Sequence, residues 1–180
     1  MPPSVLGNLR SRRTVRKFTA EPVSSDDIDL LLEAAMYAPS RLDRQPWQFV
    51  VVREARIRAG MAEILGVHSY IEQAPVVIVV CAESAVSPTW EMDSSAAIQN
   101  LCLEATDLGL GTAWVGWPDS TWWHPLEAYL RKEIDIPPEF RVASLVAVGH
   151  PAEARPPHTR EERFDATKIH EERWGNRRVR

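Results

Sequence analysis

Two cysteines in 180 residues are too few for a disulfide framework, and the opening segment Met-Pro-Pro-Ser-Val-Leu-Gly-Asn-Leu-Arg lacks the apolar core of a secretory signal. Both absences read as a cytoplasmic chain. Long hydrophobic runs are missing as well. The longest, around Val76 to Ala82, falls far short of the roughly 18 to 20 residues that span a bilayer, so no membrane partner is expected. The five histidines form no HExxH and no His/Cys cluster with zinc spacing, which predicts no metal. There is no G-x-S-x-G elbow and neither cysteine lies in an electropositive setting, which removes serine and cysteine hydrolases. Positive charge is not in excess: the net charge is −4, and no nucleic-acid reading motif is present, so nucleic acid is not an expected partner. Repeats and low-complexity tracts are also absent.

What is present is an ordinary globular composition, 44% hydrophobic and 26% charged, in a length that suits one domain with a real core. Ser24, with Asp27 three residues on, has the spacing of a capping box, and Ile28, Leu31, Leu32 and Ala35 follow at helical intervals. A helix is predicted over 25–37, then a loop from Pro39 to Pro46 and a strand over Trp47 to Val52. A second helix is predicted over 54–65. Val76 to Val80, apolar without a break, suits a central strand covered on both faces. Ala97, Leu101, Ala105 and Leu108 mark a long helix over Thr89 to Leu108, ended by Gly109 and Gly111. A strand over Thr112 to Val115, a short helix over Leu126 to Lys132 and a strand over Val142 to Val148 complete the set. Cys81 ends a strand-like run and Cys102 lies in a helical pattern, so both read as small core residues.

From Pro151 to Arg180 the chain is proline-rich and then charged, with Phe164, Ile169, Trp174 and Val179 as its few apolar anchors. It cannot build a core alone. Such a tail is either disordered or draped over a partner subunit, and the two aromatics favour the second.

Three constellations could carry chemistry, and each has a plainer alternative. Arg10, Arg12, Arg13, Arg16 and Lys17 could grip a phosphate, since Arg12 and Arg16 share a face in a helix, or could form a solvated basic surface. Pro39-Ser40-Arg41-Leu42-Asp43-Arg44-Gln45-Pro46-Trp47 presents a hydroxyl, a carboxylate and an amide ahead of a buried strand, as a heteroaromatic ligand requires. It could equally be an ordinary helix-to-strand connection. Gly109 to Gly116 carries glycines that permit close backbone approach to a flat ligand, or simply a helix cap.

Taken together these segments have an order. Arg-Arg-x-x-Arg-x-Phe, Ala-Pro-Ser before Gln-Pro-Trp, Ala-Pro-Val-Val-Ile-Val-Val, Ala-Ala-Ile-Gln-Asn-Leu and Gly-Leu-Gly-Thr follow one another in a register that resembles the nitroreductase-like flavoproteins, from about Leu9 to Arg163. The resemblance implies an α+β homodimer with a mostly antiparallel sheet flanked by helices and a C-terminal tail, here 151–180, exchanged with the other subunit. It implies FMN as cofactor and NAD(P)H as electron donor, with electrons passed by a ping-pong mechanism to a small organic acceptor such as a nitroaromatic or a quinone. By the same resemblance Arg12, Arg13, Thr14 and Arg16 surround the FMN phosphate and ribityl chain, and His158 and Arg160 close on that phosphate. Pro39, Ser40 and Arg41 come from the opposite subunit. Val115 and Gly116 lie at the reactive edge of the flavin, where the Gly116 N–H donates to N5. The flavin carries the chemistry, so no catalytic side chain is expected.

The sequence departs from the family at Asp43, where many relatives carry Asn. An ionised Asp only accepts hydrogen bonds, so Asp43 is expected to bond a ring N–H and lower the flavin potential. Further cofactor contacts found in longer members have no counterpart between Gly66 and Tyr70. Trp117, Trp122, Trp123 and His124 are candidates for the acceptor-pocket wall, with core or dimer packing as the alternative. A reductive dehalogenase or a non-catalytic FMN-storage protein of the same fold are the competing functions.

Overall fold

A strand with no polar face must be covered on both sides, and that requirement organises the molecule. The computed structural model describes residues 4–66 and 69–177. Its elements run α1 (Val5–Ser11), α2 (Ser25–Met36), β1 (Trp47–Val52), α3 (Ala55–Leu65), α4 (Tyr70–Gln73), β2 (Val76–Glu83), α5 (Trp90–Asp107), β3 (Gly111–Val115), α6 (Trp123–Glu133), β4 (Phe140–Gly149) and α7 (Arg160–Arg163). The four strands form an antiparallel sheet in the order β1-β2-β4-β3. The expected α+β fold with a mostly antiparallel sheet and flanking helices is present.

The period-2 pleat of β2 divides its side chains between two cores. Val76, Ile78 and Val80 meet Ile28 and Leu31 of α2 and Ala97, Ile98 and Leu101 of α5. Val77, Val79 and Cys81 meet Met61 of α3, Ile71 of α4 and Leu126 and Leu130 of α6. Cys102 joins the first layer, so both thiols are core residues, as the sequence predicts.

Burial pushes the Cys81 thiol up to about 12, from an ordinary 9.0, and raises that of Cys102. Between pH 9 and 12 the unfolded Cys81 ionises while the folded one keeps its proton, so this contribution to stability is whole below pH 9 and is lost as pH rises towards 12. Two outcomes are expected. Iodoacetamide at pH 8 leaves both cysteines unmodified until urea is added, as read by intact mass, and the urea midpoint falls progressively from pH 9 upward.

Local signals set most boundaries. Ser24 caps α2 by accepting from the Asp27 N–H at 3.0 Å. Gly109, at φ +73°, closes α5: its N–H donates to Thr106 O and the Leu110 N–H to Ala105 O at 2.7 Å, a Schellman arrangement. Gly111 does not end the helix as the sequence suggests. It opens β3, and it is glycine because a Cβ there would stand 2.7 Å from the Val15 side chain. Helix α6 begins at Trp123, ahead of the predicted Leu126, with Pro125 tolerated in its first turn.

Beyond the sheet, the described tail to Arg177 carries α7, opened by a reciprocal capping box between Thr159 and Glu162. The Gly66-to-Tyr70 departure includes Val67 and His68, outside the described residues, as does the predicted anchor Val179. No helix among the described residues is long and apolar enough to cross a membrane, and they contain no group of His, Cys, Asp and Glu that could hold a metal ion.

Candidate functional site

Short α1 ends at Arg12, and the chain then runs along the edge of β3, where Thr14 bridges Thr112 and the Val15 N–H donates to Thr112 O at 2.8 Å. This brings the basic segment against the returning tail. The His158 N–H donates to Arg10 O at 2.8 Å and Arg13 Nη1 to Pro156 O at 2.9 Å, so Arg13 fastens the tail. Between them lies a cavity of about 470 Å³ with Arg10, Arg12, His158, Arg160 and Arg163 on its walls, apolar sides from Leu6, Leu9 and Phe164, and Gln99 of α5. Arg160 stacks over Phe164 at 4.0 Å, and Arg163 Nη2 lies 2.7 Å from Nε2 of His158. Four guanidinium groups about one cavity make a strong anion site, because each offers a planar fork of donors that matches phosphate. Arg12, His158 and Arg160 are thus together, 146 residues separating the first from the second in sequence. Arg16 is not among them: it is exposed and sits over the Tyr70 ring at 5.8 Å.

The second cavity, about 150 Å³, lies where β3 ends. Gly116, Trp114, Trp117 and Pro118 form one side, Glu91, Ser94 and Ser95 of α5 another, and Ala143 and Ser144 of β4 its floor. A Cβ on Gly116 would stand 2.2 Å from Ser144 Oγ and 2.7 Å from Ala143 O, so this backbone approach belongs to glycine alone. Ser144 Oγ is itself fixed, accepting from Trp114 Nε1 at 2.8 Å and donating to Ala143 O at 2.7 Å. Ser94 Oγ is buried and has no hydrogen-bond partner among the described residues.

Both cavities are lined from α5, whose Glu91, Ser95 and Gln99 recur every four residues. At 1.5 Å rise per residue, Ser95 and Gln99 are about 6 Å apart along the axis. This polar stripe is absent from the sequence reading, which followed only the apolar stripe of the same helix. Arg163, Phe164 and Ser144 were missed as well. Arg163 and Phe164 carry no pattern of their own, and Ser144 lies inside a strand run that reads as core.

The loop 39–46 has an unusual backbone. Leu42, Asp43 and Gln45 have φ of 53°, 54° and 45°, a left-handed conformation rarely taken by leucine. It is held by the Gln45 N–H to Ser40 Oγ at 2.9 Å, Gln45 Nε2 to Asp43 Oδ1 at 2.9 Å, and the Arg41 N–H to Asp93 Oδ1 at 3.1 Å. Pro39, Ser40, Arg41 and Asp43 line neither cavity.

Of the four wall candidates, Trp123 is a correction. It is 0% exposed and donates from Nε1 to Val142 O at 2.8 Å, because α6 begins on it and points it into the second core. Trp117 and Trp122 are exposed and stand edge-on in a ladder that ends on Trp123, with ring centroids 5.9 and 5.7 Å apart. His124 is exposed on α6. Replacing Trp123 by Phe is expected to cost about 1–3 kcal/mol in urea denaturation, since it leaves a buried carbonyl without its donor.

An α+β protein of this layout can hold one elongated ligand along a helix, with an anionic end at the arginines and a flat end at the glycine. The chain belongs to the nitroreductase family, whose profile matches residues 9–69 and 65–150. It is 36% identical over 176 residues to a protein of Methanothermobacter thermautotrophicus provisionally assigned as an NADH dehydrogenase/NAD(P)H nitroreductase, covering 94% of this chain and 87% of that one. A protein of Archaeoglobus fulgidus with the same provisional assignment is 34% identical over 173 residues, covering 92% and 96%. Among solved structures, the FMN-dependent nitroreductase of Clostridium difficile superposes with a TM-score of 0.87 at 26% identity, covering 94% of this chain and 99% of that one.

Proposed function

We propose that the protein is an FMN-dependent oxidoreductase that takes electrons from NAD(P)H and passes them, in ping-pong order, to a small organic acceptor such as a nitroaromatic or a quinone. The observation that carries this reading is the pair of cavities on one face of α5, cationic at Arg12, His158 and Arg160 and glycine-walled at Gly116. The residues fit the cofactor. A phosphate near its dianionic form suits the arginine cavity, and the cavity at the end of β3 sets the side-chain-free backbone of Gly116 beside the unpartnered Ser94 hydroxyl, polar groups that a flat heteroaromatic ring can use.

When bound, FMN supplies hydride and electron transfer. Arg12, with Arg160 and His158, would hold the phosphate, and Thr14, next along the strand edge at Thr112, would serve the ribityl chain. The Gly116 N–H, following Val115 at the end of β3, would be the donor to flavin N5. Trp117 and Trp122, with His124 beside them, form a wall that excludes water and orients a planar acceptor. Arg13 acts on the tail.

The active unit in this reading is a cytoplasmic homodimer, a compartment that suits two unpaired cysteines. Val5, Leu6 and Leu9 of α1, Met36 and Tyr37 at the end of α2 and Met92 of α5 leave large apolar side chains exposed, as a subunit interface requires. One domain, residues 1–180, then forms each subunit; the tail is held to its own chain as far as His158, while its later part, where Trp174 is exposed, packs on the partner, and Pro39, Ser40, Arg41 and Asp43 complete the partner's site. Asp43→Asn is expected to raise the flavin potential in an anaerobic redox titration.

The deciding experiment is simple. Purified protein should be yellow, dimeric by light scattering, and bleached anaerobically by NADH or NADPH. Protein that stays colourless after reconstitution with FMN overturns the reading, and yellow protein that no nicotinamide bleaches turns it into cofactor storage.

A further inference from the structure

Arg141 of β4 lines neither cavity, yet it bonds one wall of the one at Gly116 and lies over the residue beside the other. Its Nη2 donates to the carbonyl of Pro118 at 3.2 Å, on the loop side. Its guanidinium carbon lies 5.6 Å from the ring centroid of Trp90, the first residue of α5 and the neighbour of the wall residue Glu91. Its Nε donates to Oε1 and Oε2 of Glu127 at 3.0 and 3.3 Å.

Glu127 is buried on α6 and its Oε1 also accepts from the Val142 N–H at 3.1 Å and from Arg131 Nη2 at 3.1 Å. The carboxylate therefore has two cations and a backbone donor, and Arg131 alone would balance its charge. A second arginine on a nearly buried carboxylate brings a desolvation cost that stability does not require. What the second arginine adds is geometry: a planar fork that can serve a carboxylate on one edge, a carbonyl on another and an aromatic face at once.

The segment it holds is otherwise bonded within itself, and its first link to the sheet comes later, at the Trp123 indole, which donates to Val142 O. The Ser120 N–H and Oγ both donate to Trp117 O, at 3.0 and 2.7 Å, and the Trp123 N–H to Ser120 O at 3.0 Å. Arg141 fixes this turn to the sheet at Pro118, two residues beyond Gly116.

We propose that Arg141, oriented by Glu127, is a positioning residue that sets the separation of the α5 and Trp117–Pro118 walls and thereby the aim of the Gly116 N–H at the flavin. This rests on the FMN reading above. It predicts that charge alone does not suffice. Lysine can pair with Glu127, but its point charge does not reproduce the simultaneous contacts to Pro118 and Trp90.

The test compares FMN holoenzyme of wild type, Arg141→Lys and Arg141→Gln, with Arg56→Gln as a control that removes a surface ion pair to Glu133 remote from both cavities. Thermal midpoint, flavin content, flavin absorption spectrum, redox midpoint, kcat and KM are measured for each. Arg141→Lys should keep the wild-type thermal midpoint and flavin content, yet lose roughly tenfold in kcat with little change in acceptor KM, and should show a displaced redox midpoint and an altered flavin spectrum. Arg141→Gln should show the same changes in greater degree. Should Arg141→Gln fail to fold, Arg141→Lys alone decides. A lysine variant with wild-type kcat, spectrum and midpoint overturns the proposal, because it would leave only an ion pair that lysine can replace. Colourless wild-type protein instead overturns the cofactor reading on which it rests, so the two failures are distinct.

Discussion

Gly116→Ala is expected to lose about a hundredfold in kcat/KM, with the thermal midpoint lowered by only a few degrees. A methyl group at this position meets Ser144 Oγ at 2.2 Å and Ala143 O at 2.7 Å. The hydroxyl cannot simply turn aside, since it holds the Trp114 indole and the Ala143 carbonyl, and the carbonyl is backbone of a central strand. The strand end bearing residue 116 must therefore move outward. Overpacking of this kind costs about 1–3 kcal/mol of stability. Activity is the more sensitive quantity, because a displacement near 1 Å of a group aimed at a reacting atom costs on the order of a hundredfold. Steady-state kinetics beside a melting curve separates the two. Equal activity in the alanine variant would remove Gly116 from the site.

The other large effect concerns the arginine cavity. Arg12→Ala with Arg160→Ala is expected to weaken FMN binding by roughly a hundred- to ten-thousandfold, because each charge-assisted bond to a phosphate contributes about 1.5–3 kcal/mol. Fluorescence titration of apoprotein measures this directly. Riboflavin, which lacks the phosphate, supplies the control: its affinity should be nearly the same in both proteins. A comparable loss for riboflavin would mean that the substitutions disturb the fold, for instance through the Arg160–Phe164 stack. Arg16→Ala should change FMN affinity far less, since Arg16 lies over Tyr70 and outside the cavity.

These residues differ in how far the sequence revealed them. Helix α2 and strand β2 were legible because their signals are local: a cap at Ser24, a helical apolar spacing, an unbroken apolar run. Arg12, Arg160 and Gly116 were singled out through the order of motifs along the chain, and the structure places the first two at one cavity and the third at another. Trp123 stood open between pocket and core because periodicity cannot tell a core tryptophan from a pocket tryptophan, and an uncapped helix start shows no mark of where it begins. Gly111 was misread because a glycine can answer either a dihedral requirement or a steric one, and only the neighbouring Val15 decides. Arg141 and Glu127 were invisible for a deeper reason. Their meaning lies in a meeting of β4, α6 and the turn after β3 that no local window contains.

The left-handed residues Leu42, Asp43 and Gln45 carry a consequence for the timing of order. A loop that must adopt such dihedrals resists doing so when a ligand arrives, so its disorder is surrendered earlier, when the chain folds and Ser40 and Asp93 take up their bonds. In the role proposed for it at a partner's site, selection on this loop pulls in two directions. Glycine at position 42 would relax the backbone and make folding more favourable, while returning to the bound state an entropic cost that the leucine has already removed. A residue that reads as a defect in the folded chain is, for binding, an advance against disorder.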